Sequence, residues 1–168
     1  MHTRVLAPRH GPLLLVRPLR RGDERTVLDV FERLGEESRR ARFNGPKPHL
    51  GAMELRWLAA VDARHHALVA YVDGDPRPVG IARLVRTGRT AEVAFEVADE
   101  YQRRGIGSAL TAELIADARA AGITEITALV SSDNVAAVAL LRRLLNALEI
   151  RMEGSELAIR AAVVSPAL

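Results

Sequence analysis

The chain contains no cysteine and only one lysine, Lys47, which lies between two prolines in Asn44-Gly-Pro-Lys-Pro48. Without cysteine there is no disulfide framework, no thiol nucleophile and no thiolate metal site. The histidines His2, His10, His49, His65 and His66 lack metal-type spacing, so no metal is expected. Long hydrophobic runs are missing as well. Pro12-Leu-Leu-Leu-Val16 is far too short for a membrane span or a signal peptide. These absences lead to the expectation of a soluble, cytoplasmic protein without a membrane partner.

What is present sets the scale. With 168 residues, 48% of them apolar, the chain can bury one good core and is short for two, so one domain over residues 1–168 is expected. Arginine supplies nearly all the basic charge and lifts the pI to 10.1, yet the net charge is only +3. No long run of like charge accompanies it, so nucleic-acid binding is not expected.

The chain is organised around Ala91–Leu110. Val93, Phe95 and Val97 alternate with Glu92, Ala94 and Glu96, the period of a strand with one apolar face and two carboxylates on the other. Charge then reverses from Asp99-Glu100 to Arg103-Arg104. Gly105-Ile-Gly107-Ser108 opens a helix whose Leu110, Leu114 and Ala118 share a stripe, with Glu113 and Arg119 turned away. Glycines there let backbone approach a ligand, and the first helical N–H groups have no internal partner, an arrangement suited to a diphosphate. A dinucleotide-binding turn fits poorly, because Leu110 occupies the third glycine position and Glu125 comes too early in the next strand. A P-loop fails for want of Gly-Lys-Ser/Thr. What remains is Gln102-x-x-Gly105-x-Gly107 following a strand, or an ordinary turn with a glycine pair.

Around this stretch, the pattern predicts a strand at 13–18 and a helix near Asp23 with Val27, Val30, Phe31 and Leu34 buried. The arginine-rich segment 36–43 reads better as a solvated helix face than as a substrate cover. A helix over 53–61 carries the only tryptophan, Trp57, expected in the core. Strands at 67–72 and 79–85 flank the hairpin signal Asp73-Gly-Asp-Pro, and Arg86-Thr-Gly-Arg turns the second into the central strand. Beyond the glycine helix come a strand at 126–130, a helix at 135–145 entered through Ser131-Ser-Asp-Asn134, and a final hairpin around Gly154-Ser155. Arg142 and Arg143 fall where cations suit the end of the helix dipole.

The glycine motif and this element order resemble the GNAT acyltransferase superfamily. Val16-Arg-Pro-Leu-Arg20, Glu37-Ser-Arg-Arg-x-Arg-Phe43, Ala91-Glu-Val-Ala-Phe95 and Ser132-Asp-Asn134 are similar to the acetyltransferase domain of bacterial Pat-type protein-lysine acetyltransferases. The resemblance implies an α+β, sandwich-like GNAT fold: a mixed, mostly antiparallel sheet of about seven strands flanked by about four helices. It also implies acetyl-CoA as cosubstrate and a primary amine as acceptor. A protein lysine, with acetyl-CoA synthetase a frequent Pat substrate, stands before a small amine. In that family the domain is often fused to a cyclic-nucleotide-binding or acyl-CoA-synthetase-like module.

Carried over by position, Gln102, Arg103, Arg104, Gly105, Ile106, Gly107 and Ser108 match the motif that wraps the coenzyme pyrophosphate. Val97 corresponds to where the pantetheine arm pairs like an added strand. Asn134 matches an asparagine that commonly touches that arm, and equally suits a helix cap. Glu92 matches the glutamate that accepts the amine proton, often through water, and is the catalytic candidate. Glu96, on the same strand face roughly 13 Å away, reads as a half-exposed carboxylate paired with an arginine. The family's tyrosine and Gly-Phe are replaced by Leu141 and Leu145-Asn146. An acetyltransferase and an acyl-CoA-binding module without turnover therefore both stand as readings.

Overall fold

The computed structural model describes residues 3–163, so His2 lies outside the described residues. Eight strands form one sheet in the order β1-β2-β3-β4-β5-β6-β8-β7. They are β1 (Arg4–Leu6), β2 (Leu14–Pro18), β3 (His65–Val72), β4 (Gly80–Thr87), β5 (Thr90–Val97), β6 (Glu125–Ser131), β7 (Glu149–Glu153) and β8 (Glu156–Ala162). Five helices accompany them: α1 (Glu24–Glu32), α2 (Glu36–Phe43), α3 (Ala52–Leu58), α4 (Ile106–Ala120) and α5 (Val135–Leu144). Every strand pair is antiparallel except β5 with β6.

Helices cover both sheet faces, and β3 shows it in sequence. Ala67, Leu68, Val69 and Ala70 are all buried, with Leu68 and Ala70 in the core under α4 and α5, and Ala67 and Val69 in the core under α1 and α3. A strand covered on two faces reads as a continuous apolar run rather than an alternating one. The stripe Leu110, Leu114 and Ala118 of α4 is fully buried, as its spacing requires.

Several expectations are corrected. Trp57 is 56% exposed, because α3 is a seven-residue helix that buries only Leu58 and turns the indole outward against the His65 ring. That helix ends at Leu58, short of Val61. Strand β1 was not foreseen: three residues followed by Pro8, Gly11 and Pro12 give too short a pattern. Asp23 occupies the N-cap of α1 without capping it. Its carboxylate instead accepts from the Arg20 N–H at 2.9 Å and from Arg17 at 2.6 Å.

The core under α4 gives a direct test. Leu114→Ala removes a fully buried side chain from the helix centre, and the expected loss of stability in urea denaturation is about 2–5 kcal/mol.

Candidate active site

The parallel pairing of β5 with β6 lasts three residues, Thr90–Glu125, Ala91–Ile126 and Glu92–Thr127, after which the strands diverge. A cleft of about 960 Å³ lies in the fork. Val93–Val97 form one wall and Ala128–Val130 the other, with α2 across one side and the starts of α4 and α5 at the far end.

The segment after β5 is braced on several sides. The Asp99 N–H donates to the Arg33 carbonyl at 3.1 Å, and the Asp99 carboxylate accepts from the Gly35 N–H at 3.0 Å. Tyr101 donates its hydroxyl hydrogen to Asp75 at 3.0 Å. Buried Arg33 pairs with both Asp75 and Glu100. Arg33, then the Arg77 N–H, hold the Asp75 carboxyl down at about 2. The Gln102 side-chain amide donates to the Val97 carbonyl and to Ser38 of α2, both at 3.0 Å.

Two left-handed residues then aim the chain into α4. Gly105, at φ 76°, does so freely, whereas Arg103, at φ 58°, accepts a strain of roughly 1–2 kcal/mol. Such turns gather backbone N–H groups into an anion-binding concavity, here at the positive end of a helix. From below, Pro8–Gly11 press against the loop. A Cβ on Gly11 would lie 2.0 Å from the Arg104 carbonyl oxygen, a closeness only glycine allows. A Cβ on Gly107 would meet Leu140 at 3.4 Å and Val97 at 3.5 Å, so α4 begins flush against α5 and β5. An elongated, phosphate-bearing ligand fits this cradle.

Of the residues selected from sequence, Glu92, Val97, Gln102, Arg103, Gly107, Ser108 and Asn134 line the one cleft. Arg104, Gly105 and Ile106 do not. Arg104 lies over the Tyr101 ring and Ile106 is in the core, so what the last two offer a ligand is backbone. Asn134 caps α5, its side-chain oxygen accepting from the Ala137 N–H at 3.1 Å. Arg143, read from sequence as a dipole partner, also reaches the cleft, donating to the Ser108 hydroxyl at 3.0 Å.

The two glutamates of β5 differ sharply. Glu92 is exposed, and among the described residues no cation pairs with it. Glu96 is buried rather than half-exposed, and two arginines hold it: Arg42 Nε donates to one oxygen and Arg83 to the other at 3.3 Å. Burial alone would raise its pKa, but the charges of Arg42 and Arg83 outweigh that and hold it below the ordinary glutamate value. Helix α2 is corrected with it. Glu36, Glu37 and Arg40 are exposed as a solvated face requires, but Glu37, Ser38, Arg40 and Arg42 also line the cleft, so the segment is a cleft wall as well.

The "Acetyltransferase (GNAT) family" model matches residues 30–146. The chain belongs to the GNAT acetyltransferase family. This GNAT protein is 36% identical over 140 residues to "Acetyltransferase Pat" of Mycolicibacterium smegmatis, an alignment covering 81% of this chain and 42% of that protein. It is 33% identical over 129 residues to "Acetyltransferase PA5475" of Pseudomonas aeruginosa, covering 74% and 69% respectively. Among solved structures, the GNAT domain of Streptomyces lividans PAT superposes with a TM-score of 0.85 at 25% identity, over 95% of this chain and 96% of that one. The chain spans less than half the length of the M. smegmatis relative.

The Glu96 ion pairs carry a pH signature. A carboxyl with a depressed folded pKa adds stability above its unfolded value of about 4.3, and that stability is lost as pH falls through the folded pKa. Glu96→Gln should therefore be less stable than the parent at pH 7, with the gap closing below about pH 4, read by urea denaturation across pH.

Proposed function

We propose that the chain transfers the acetyl group of acetyl-CoA to a primary amine, a protein lysine side chain, by direct attack within a ternary complex. The observation that carries this reading is an exposed, unpaired carboxylate, Glu92, on the wall of a cleft whose far end is a glycine-lined cradle. Similarity to "Acetyltransferase Pat", taken with the resemblance to Pat-type protein-lysine acetyltransferases, supports the lysine acceptor over a small amine.

Each residue then has a task. The backbone from Gln102 to Ser108 wraps the pyrophosphate, with Arg103 and Arg143 adding positive charge at the cleft. The edge of β5 near Val97 pairs with the amides of the pantetheine arm, with Asn134 near the same arm. A lysine ammonium, with pKa about 10.4, is roughly a thousandfold short of free base at pH 7, so the acceptor needs a proton sink. Glu92 takes that proton, directly or through water. The amine nitrogen bonds to the acetyl carbon as the carbon–sulfur bond breaks, the sulfur leaves as thiolate, and the nitrogen's second proton passes to water or to that thiolate. Leu141 occupies the family's tyrosine position and is fully buried in the core, so no side-chain acid serves the departing sulfur there. A thiol with pKa about 8.5 leaves near neutral pH with little protonation, and an oriented complex supplies much of the remainder.

Three measurements test the reading. Mass spectrometry of a cell lysate incubated with the protein and acetyl-CoA should show new acetyl-lysine sites; free-thiol release without any modified amine would point to hydrolysis, and neither signal to a binding module. Glu92→Gln should retain acetyl-CoA affinity and lower the acetylation rate at neutral pH by roughly a hundredfold or more, with partial recovery as pH approaches the lysine pKa. A deficit equally large at pH 7 and above about pH 9.5 would remove Glu92 from this role. The parent should be thermally stabilised by acetyl-CoA and Gly107→Glu should not, because the variant brings a bulky negative side chain to the diphosphate cradle that Gly107 lines.

A further inference from the structure

Helix α2 forms a wall of the cleft with a single large apolar side chain, Phe43 at its end, packed against the core under α1 and α3. It buries no residue, and its mean composition, Glu-Glu-Ser-Arg-Arg-Ala-Arg-Phe, gives it little to bury. What holds it is largely polar. Ser38 accepts from Gln102 at 3.0 Å, Arg39 donates to the Pro48 carbonyl at 3.0 Å and lies over the Phe31 ring, and Phe43 meets Phe31 edge-on. The remaining attachment differs in kind. Arg42 reaches from α2 to Glu96 on β5, with side-chain exposures of only 14% and 7%, and Arg83 closes the other side of the same carboxylate. Arg83 is itself fixed by donating to the Leu58 carbonyl at the end of α3.

Glu96 lies four residues beyond Glu92 on the same strand face, so the ion pair ties α2 to the strand that carries the base. Opposite charges screened from water interact far more strongly than exposed ones, which distinguishes this contact from the surface pairs of the chain. We propose that Arg42 is a positioning residue: through Glu96 it sets the distance of α2 from Glu92 and thereby the width of the acceptor entrance. This rests on the reading of Glu92 as the base. The coenzyme cradle is built by the 97–108 loop and the start of α5, and it meets α2 at the Gln102–Ser38 hydrogen bond, one that Arg42 takes no part in.

Arg42→Met is the informative variant, because Glu96 keeps Arg83 and is not left as an unpaired buried charge, the usual cause of misfolding when one partner is removed. Steady-state kinetics with a lysine-containing peptide should show the acceptor KM rising about tenfold or more, with kcat little changed. Acetyl-CoA affinity, read by thermal shift, should match the parent. Hydrogen exchange should accelerate in residues 36–43 and not in α4 or α5. Arg42→Lys, which keeps the charge and loses the planar fork, should recover part of each effect. Unchanged exchange in α2, or acceptor and coenzyme binding weakening in parallel, would overturn the proposal. Faster exchange confined to α2 in a protein that acetylates no peptide would uphold the tether while removing the acetylation reading, so the two fail separately.

Discussion

Everything at the cleft follows from a parallel strand pair that stops early. A parallel ladder satisfies backbone groups only while the strands stay close, and β5 and β6 stay close for three residues. Beyond Glu92, β5 pairs with β4 alone, leaving its other edge along the cleft. Two helices begin where the fork is widest, and their N-termini bring positive potential to the same place that the unpaired edge brings hydrogen-bonding groups. An extended ligand with amides along its length and phosphates at one end is the chemical complement of that geometry. The brace around Arg33, Asp75 and Glu100, and the contact of Gly11 beneath Arg104, hold the loop that joins the fork to the helix.

On one strand face, two carboxylates of the same residue type have opposite surroundings. Glu96 is ionised and fully committed, its charge neutralised by guanidiniums that arrive from α2 and β4. Glu92 keeps its lone pairs available. In the proposed reaction a proton acceptor must be free to change charge state, whereas a structural ion must not, and the two surroundings match those two demands.

Much of the fold was legible because its signals are local and periodic. The α4 stripe, the glycine pair, the period-two pattern of β5 and the terminal hairpin each lie within one element, and the expected sheet of about seven strands and four helices differs from the observed eight and five only by short pieces. Gly107 of the glycine motif, Glu92 and Asn134 were likewise visible in sequence, and they share the cleft. What escaped depends on residues far apart in the chain. Arg42 and Glu96 are 54 positions apart, and nothing in Ser38-Arg-Arg-Ala-Arg-Phe43 says which arginine turns inward. Arg143 reached Ser108 across 35 positions, and Gly11 found Arg104 only through folding. Trp57 misled for a related reason: hydrophobicity argues for burial, but a short helix with one buried position has no inner site to offer.

The outward placement of that indole changes what light can report. Trp57 is the one tryptophan, it already touches water in the folded chain, and its ring stands edge-on to His65 with centroids 6.0 Å apart. Global unfolding moves it from one aqueous setting to another, so its emission colour is a blunt gauge of the core. Its intensity instead follows the neighbouring imidazole and the end of α3, next to the carbonyl of Leu58 that anchors Arg83. Fluorescence of this protein is thus a local optical readout of the side of the sheet that carries Glu92 and Glu96, without a label having to be introduced.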